Sequence, residues 1–391
     1  MRMRKATSAL VGLLLAGIAA TPAHAQTIRE RQWHLDAMKA EEIWKTSTGK
    51  GVTVAVIDTG VARIAELEGQ VLPGKDFAEG YKGYSGDERT DFDEHGTGIA
   101  ALIAGSGKHP SGDGAFGLAP GAKILPIRVP YEMEGNTPSW AAAIRYAANS
   151  EAKIINISLG VDGTPENDRA RSEAVKYALS KGKLIFSAVG NDGDTVNRVE
   201  YPSATPGVVG VGAVDHEGGA TKESQHGPQV DLSAPGIGII TACAGKTELC
   251  DTHGTSDASA LVSASAALLW SAHPDWTNNQ VLRVLLNTAG KPVDGSKRDD
   301  FVGYGIVRPR VAVPTPGDPG PADVYPLPDL AAADSGGKPA GAGSPKPAPK
   351  PQSADSKKGG GSSLPWIALG LGACVVIGGA VTAVVVRRNR G

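Results

Sequence analysis

Four side chains in this sequence stand where a hydroxyl could be made into a nucleophile. Asp58 directly follows the apolar run 52–57 and precedes Thr59-Gly60. His95 stands in AspGluHisGlyThrGly, Ser256 in HisGlyThrSer at the head of an Ala/Leu/Val-rich run, and Asn191 in ValGlyAsnAspGly. A serine hydroxyl is a weak nucleophile, so an imidazole must take its proton. A carboxylate must then fix the imidazole tautomer and stabilise the imidazolium, while N–H donors hold the oxyanion that forms. Asn191 and the backbone N–H of Ser256, at a helix start, are the candidate donors. Each residue alone has a plainer explanation: a turn Asp, one surface His among eight, an N-cap Ser, a turn-forming Asn. Together, in the order Asp…His…Ser, they form one of the orders in which the nucleophile–base–acid set recurs.

Such a set works only if distant segments converge. Short β-branched, apolar runs bounded by turns predict strands at 52–57, 123–129, 154–159, 183–189 and 208–214. Helical periodicity alternates with them. Residues 138–149 carry Trp140, Ile144 and Ala148 on one face, residues 167–181 end before Gly182, and 256–272 and 277–288 follow. Continuous apolar strands alternating with helices imply a parallel sheet covered on both faces, with its active site at the carboxyl ends of the strands. The four residues all follow strand ends or open helices.

With these motifs in place, residues 30–312 resemble the subtilisin-like (subtilase) serine peptidases. The likeness lies in ValAlaValIleAspThrGlyVal at 54–61, HisGlyThr at 95–97, AsnIleSerLeuGly at 156–160, GlyAsn at 190–191, SerAlaProGly at 233–236 and GlyThrSer at 254–256. The resemblance implies a three-layer α/β/α fold with a mainly parallel central sheet, and a catalytic set of Asp58, His95, Ser256 and Asn191. It also implies that Ser158, Leu159 and Gly160 pair with the substrate backbone, and that Ala188, Val189 and Gly190 wall a specificity pocket. Two residues depart from that family's pattern: Asp257 follows the serine, and Ala260 stands where Pro is usual. Asp257 is either a carboxylate at the cleft that biases substrate choice or raises the His95 pKa, or a solvated first-turn Asp favoured by the helix dipole.

The ends of the 391-residue chain are read separately. Arg2, Arg4 and Lys5 precede an apolar run from Ala9 to Ala20, too short to cross ~30 Å of hydrocarbon. Ala23-His24-Ala25 then forms a signal cleavage site, so residues 1–25 are expected to be removed and the mature chain to begin near Gln26. Residues 364–386 carry no charge and as a helix would span ~35 Å, enough for a bilayer. Arg387, Arg388 and Arg390 follow, so the tail 387–391 is expected to be cytoplasmic and the body outside. Residues 314–363, rich in Pro, Gly, Ser and Lys, read as a tether that cannot bury enough apolar surface to fold. That leaves 26–313 for one globular domain.

A formal charge of −2 gives no sign of nucleic-acid binding, and neither a metal cluster, a phosphate loop nor a redox motif is evident, so no cofactor is expected. Cys243 and Cys250 fall in the exported part, where a disulfide closing a short loop is expected; two free thiols are the alternative. Cys374 falls inside the membrane helix.

The whole plan further resembles the mycosins, membrane-bound, outward-facing proteases tied to type VII secretion machinery. The likeness runs from TrpHisLeuAspAlaMetLys at 33–39 into the first strand, and includes the proline-rich tether, the membrane helix and the basic tail. The interval from Gln26 to Asp58 is too short for a separately folded prodomain, so no large autocatalytic excision is expected. The function expected is an anchored, outward-facing endopeptidase acting on exported proteins. A non-catalytic scaffold of a secretion complex is the alternative. An esterase reading lacks the GlyxSerxGly elbow.

Overall fold

The computed structural model describes residues 26–335 apart from Lys82, residues 131–137 and residues 246–247. The expected signal peptide, membrane helix and basic tail, and the tether beyond Ser335, lie outside the described residues. Among the described residues no helix is long and apolar enough to cross a membrane.

The expected apolar runs are strands of one sheet. They are β1 (Thr53–Asp58), β3 (Lys123–Arg128), β4 (Ile154–Ile157), β6 (Leu184–Ala188) and β8 (Val209–Val214), and two strands that the sequence reading does not include, β2 (Lys75–Asp76) and β9 (Leu232–Pro235), form the two edges. Their order is β2-β3-β1-β4-β6-β8-β9, and every pairing is parallel. Two antiparallel pairs stand apart: β5 (Val161–Asp162) with β7 (Glu200–Tyr201), and β10 (Ile239–Ala242) with β11 (Leu249–Thr252).

Successive side chains of a strand point to opposite faces, which divides the core in two. Val54 and Val56 of β1 pack with α4 (His95–Ala104), α7 (Thr255–Ala272) and α8 (Asn278–Thr288). Ala55 and Ile57 pack with α5 (Pro138–Asn149) and α6 (Arg169–Ser180). The result is the three-layer α/β/α arrangement of a subtilisin-like fold. Gly182, at φ +72°, follows α6 in the left-handed conformation that only Gly adopts at no cost.

Helix α7 is buried on every side from Thr255 to Trp270, consistent with its Ala- and Ser-rich, nearly uncharged sequence. Ala260 is fully buried within it, and the helix continues unbroken through that position.

Two further segments complete the domain, one within the expected span 26–313 and one beyond it. Helices α1 (Ile28–Arg31), α2 (Trp33–Ala37) and α3 (Ala40–Trp44) bring Leu35 and Ile43 into the core. The buried Gln32 donates Nε2–H to the Phe116 and Ile240 carbonyls and accepts from Phe116 N–H. At the other end α9 (Pro309–Ala312) and α10 (Asp329–Asp334) bracket a segment expected to be tether from residue 314. Through Ser335 it lies on the domain instead. Arg283 donates to the carbonyls of Pro319, Pro321 and Val324, Thr277 and Asn279 both donate to that of Ala322, and Leu327 joins the core. Cross-links to backbone carbonyls hold this stretch, which is why its Pro- and Gly-rich composition reads as unfolded.

Candidate active site

Asp58 ends β1 and is buried. Its Oδ1 accepts from Thr59 N–H at 2.8 Å and meets His95 Nδ1 at 2.7 Å. A carboxylate only accepts, so this contact places a proton on Nδ1. In the neutral ring Nε2 is then the free base.

His95 opens α4, and the helix start is seated on the end of β1 by small residues and a threonine–aspartate clasp. A Cβ on Gly96 would collide with the Gly60 carbonyl and stand 3.0 Å from Asp58 Cβ, so only Gly permits this approach. Thr59 Oγ1 accepts from Gly96 N–H (2.9 Å) and donates to Asp91 Oδ1 (2.7 Å). Asp91 Oδ2 in turn accepts from the N–H and hydroxyl of Thr97. Sequence reasoning did not identify Asp91; it belongs to no motif of its own, although it stands four residues before the histidine.

Ser256 is the second residue of α7, beyond Gly254 at φ +117°. Its hydroxyl donates to the Ser158 carbonyl at 2.9 Å, and the Ser158 hydroxyl donates to the Ser256 carbonyl at 3.0 Å. Behind them the fully buried Asn156 donates to Ser158 Oγ and accepts from the hydroxyls of Ser259 and Ser263. This network joins α7 to the end of β4.

Asn191 follows β6. Its Oδ1 accepts from the N–H of Thr255 (2.8 Å) and from the Thr255 hydroxyl (3.0 Å). A backbone N–H can only donate, so the carboxamide orientation is fixed and Nδ2 remains as a donor beside the first turn of α7.

A cleft of about 400 Å³ joins these groups. It is lined by His95, Ser256, Thr255, Ser158, Leu159, Gly160, Ala188, Gly190 and Asn191, and also by Asp192, Glu200 and His253. Val189, expected in the pocket wall, is not among the lining residues. It is fully buried, because strand alternation turns it away from the side that Ala188 and Gly190 face. Glu200 arrives through the β5–β7 pairing, a long-range contact with no local signature.

A second cleft of about 260 Å³ adjoins the first across His95 and His253. Asp257 lines it together with Glu94, Asp251 and Thr252 and with Cys243 and Cys250, which are joined as a disulfide. Asp257 is therefore not a solvated first-turn residue: it is 4% exposed and its Oδ2 has no hydrogen-bond partner. Burial raises its pKa to about 6, against the lowering influence of Thr252, His95 and His253. For His95, burial acts to lower the pKa. The charge and hydrogen bond of Asp58, then the charges of Asp257 and Asp91, outweigh it and hold the imidazole up, at about 9.

Comparison with known proteins agrees with this architecture. Residues 49–305 match the model of the Subtilase family. Mycosin-1 of Mycobacterium tuberculosis is 31% identical over 74% of this chain and 74% of its own. Subtilisin Savinase of Lederbergia lenta is 32% identical over 62% of this chain and 84% of its own. Among solved structures, MycP1 from Mycobacterium smegmatis superposes with a TM-score of 0.66 at 29% identity, covering 78% of this chain and 90% of that one. A chain of the periplasmic assembly from the ESX-5 inner membrane complex gives 0.63 at 28% identity, covering 86% and 92%.

Proposed function

This chain belongs to the subtilase family of serine peptidases and is related to the mycosins of type VII secretion, and from that premise we propose that it is an outward-facing, membrane-anchored endopeptidase that cleaves exported proteins through an acyl-enzyme on Ser256. The observation that carries this reading is the 2.7 Å contact of Asp58 Oδ1 with His95 Nδ1 in a cleft shared with Ser256 and Asn191.

In the proposed reaction Ser256 exchanges its hydrogen bond to the Ser158 carbonyl for one to His95 Nε2. Oγ attacks the scissile carbonyl carbon while Nε2 takes the hydroxyl proton. Asn191 Nδ2 and the Ser256 N–H hold the resulting oxyanion. The imidazolium, stabilised by Asp58, then protonates the leaving amine, and the C–N bond breaks. Water, deprotonated by the same imidazole, releases the acyl group and restores the hydroxyl.

The proposed organisation has a signal peptide at 1–25, a domain extending from Gln26 to about residue 335, a tether to 363, a membrane helix at 364–386 and a cytoplasmic tail at 387–391. Likeness to a chain of a periplasmic assembly supports placement in a type VII secretion complex. It also favours a second reading, in which the domain serves such a complex structurally whether or not it cuts. N-terminal peptide profiling of secreted proteins from wild-type and Ser256→Ala cells tests the peptidase reading: new N-termini must vanish in the variant. Restoration of secretion by Ser256→Ala in cells lacking the protein supports the structural role.

A further inference from the structure

The cleft beside Ser256 carries two carboxylates, Asp192 and Glu200, that no step of the reaction above employs. Glu200 is placed between the two walls of the cleft. A Cβ on Gly160 would collide with its Oε2, and one on Gly190 would stand 2.5 Å from its Oε1. The carboxylate thus occupies space that both glycines leave open. The buried Gln225 donates Nε2–H to Glu200 Oε1 (2.8 Å) and to Asp192 Oδ1 (2.6 Å), so one amide holds both acids. Glu200 Oε2 has no hydrogen bond among the described residues, yet it is not one of the sealed, unpartnered atoms.

Neither a lysine nor an arginine is among the residues lining this cleft. Arg198, close in sequence, is paired with Asp162 at 2.5 Å. Burial drives the Glu200 carboxyl up to about 7; the Gln225 hydrogen bond opposes this, and the charges of Asp162 and Asp192 add to it. Two acids are held side by side in a partly dry cleft with neither a lysine nor an arginine among its lining residues to pair with them, a site whose energy falls when a substrate cation enters.

We propose that this cleft selects lysine or arginine as the residue supplying the scissile carbonyl, with Glu200 Oε2 pairing with the cationic head and Asp192 adding to the field. The inference rests on the serine-peptidase reading, because it needs an acyl group bound at Ser256. It deepens that reading by naming the substrate class.

Peptidyl diphenyl phosphonates that differ only in the residue bearing phosphorus, Lys or Arg against Leu, test it on the full chain. The wild type is expected to be inactivated on the order of 10²-fold faster by the basic compounds, and Glu200→Gln, which keeps an acceptor for Gln225, is expected to bring the ratio near one. A melting curve checks that the variant is folded. The wild type offers a second measurement independent of any variant's folding: the ratio should drop as pH falls from 8 to 6 and Glu200 takes a proton. Titration of His95 affects both compounds alike and cancels. A wild-type ratio of one or less, or reaction with neither compound while a fluorophosphonate labels Ser256, removes the inference alone. So does a ratio unmoved in folded Glu200→Gln. Failure of the fluorophosphonate to label Ser256 removes the peptidase reading and the inference with it.

Discussion

Ser256 and Ser158 are bound reciprocally: each hydroxyl donates to the other's backbone carbonyl, at 2.9 and 3.0 Å. The first turn of α7 is thereby fixed to the end of β4, and the hydroxyl proposed as nucleophile rests against Ser158 until it turns to His95. Asn156 is the buried hub behind this pair. Asn156→Ala would orphan the hydroxyls of Ser259 and Ser263 and remove the amide donor to Ser158 Oγ, at a cost of ~1–3 kcal/mol or more, equivalent to a melting temperature lower by several degrees. Calorimetry and kcat measured together check this, and kcat should fall with stability because the same network positions Ser256.

Asn191 has two jobs that separate by substitution. Its Oδ1 accepts from Thr255, while Nδ2 is the proposed oxyanion donor. Asn191→Asp keeps the acceptor and removes the donor. It should lower kcat ~10²–10³-fold with little change in KM or melting temperature. Asn191→Ala should lose both activity and stability. Full activity in the Asp variant would contradict the assignment.

The pH profile follows from His95. A general base must be neutral, so kcat/KM should rise with pH until the imidazole loses its proton at about 9. Asp257 contributes negative charge that favours the imidazolium. Asp257→Asn should therefore lower the His95 pKa and move the rising limb to lower pH. A profile identical to wild type would show that Asp257 does not act on the base.

His34, which lines neither cleft, provides a separate stability test. It is fully buried with neither ring nitrogen hydrogen-bonded. Burial, then the charge of Arg29, lowers its pKa to about 3, against a raising effect of Asp36. The folded ring stays neutral while the unfolded one binds a proton below its ordinary value of 6.5. Stability is thus fully present above that pH and falls by up to about 1.4 kcal/mol per unit on acidification toward about 3. Denaturant melts at pH 7 and pH 4.5 should show His34→Leu losing less stability on acidification than the wild type.

The N-terminal helices bear on maturation. Gln32, Leu35 and Ile43 are integral to the core, and excision beyond Trp44 would remove them. The mature protein should retain these residues, and intact-mass measurement of the exported form would show it. A mature chain beginning past Trp44 would contradict this.

Much of this was legible because the relevant signals are local. Strand β1 is a continuous apolar run that ends in Asp58, and the glycines around His95 and Ser256 mark tight approaches. The 314–335 segment was misread because hydrogen bonds to its carbonyls hold it, and carbonyls leave no compositional trace. Val189 was assigned to a wall from its place in a motif, whereas side-chain direction depends on strand phase. Asp91 and Glu200 enter the site through tertiary contacts, Glu200 by the pairing of two residues on β7 with two on β5. Asp257 was ambiguous in sequence because only packing decides whether a first-turn Asp meets water.

The central claim is that Asp58 and His95 activate Ser256. The most direct test is peptide mapping after brief treatment with a fluorophosphonate. The account predicts a single adduct on Ser256, formed at least ~10²-fold more slowly in His95→Ala and absent in Ser256→Ala. An adduct on another residue, or one on Ser256 that forms as fast without His95, would contradict it.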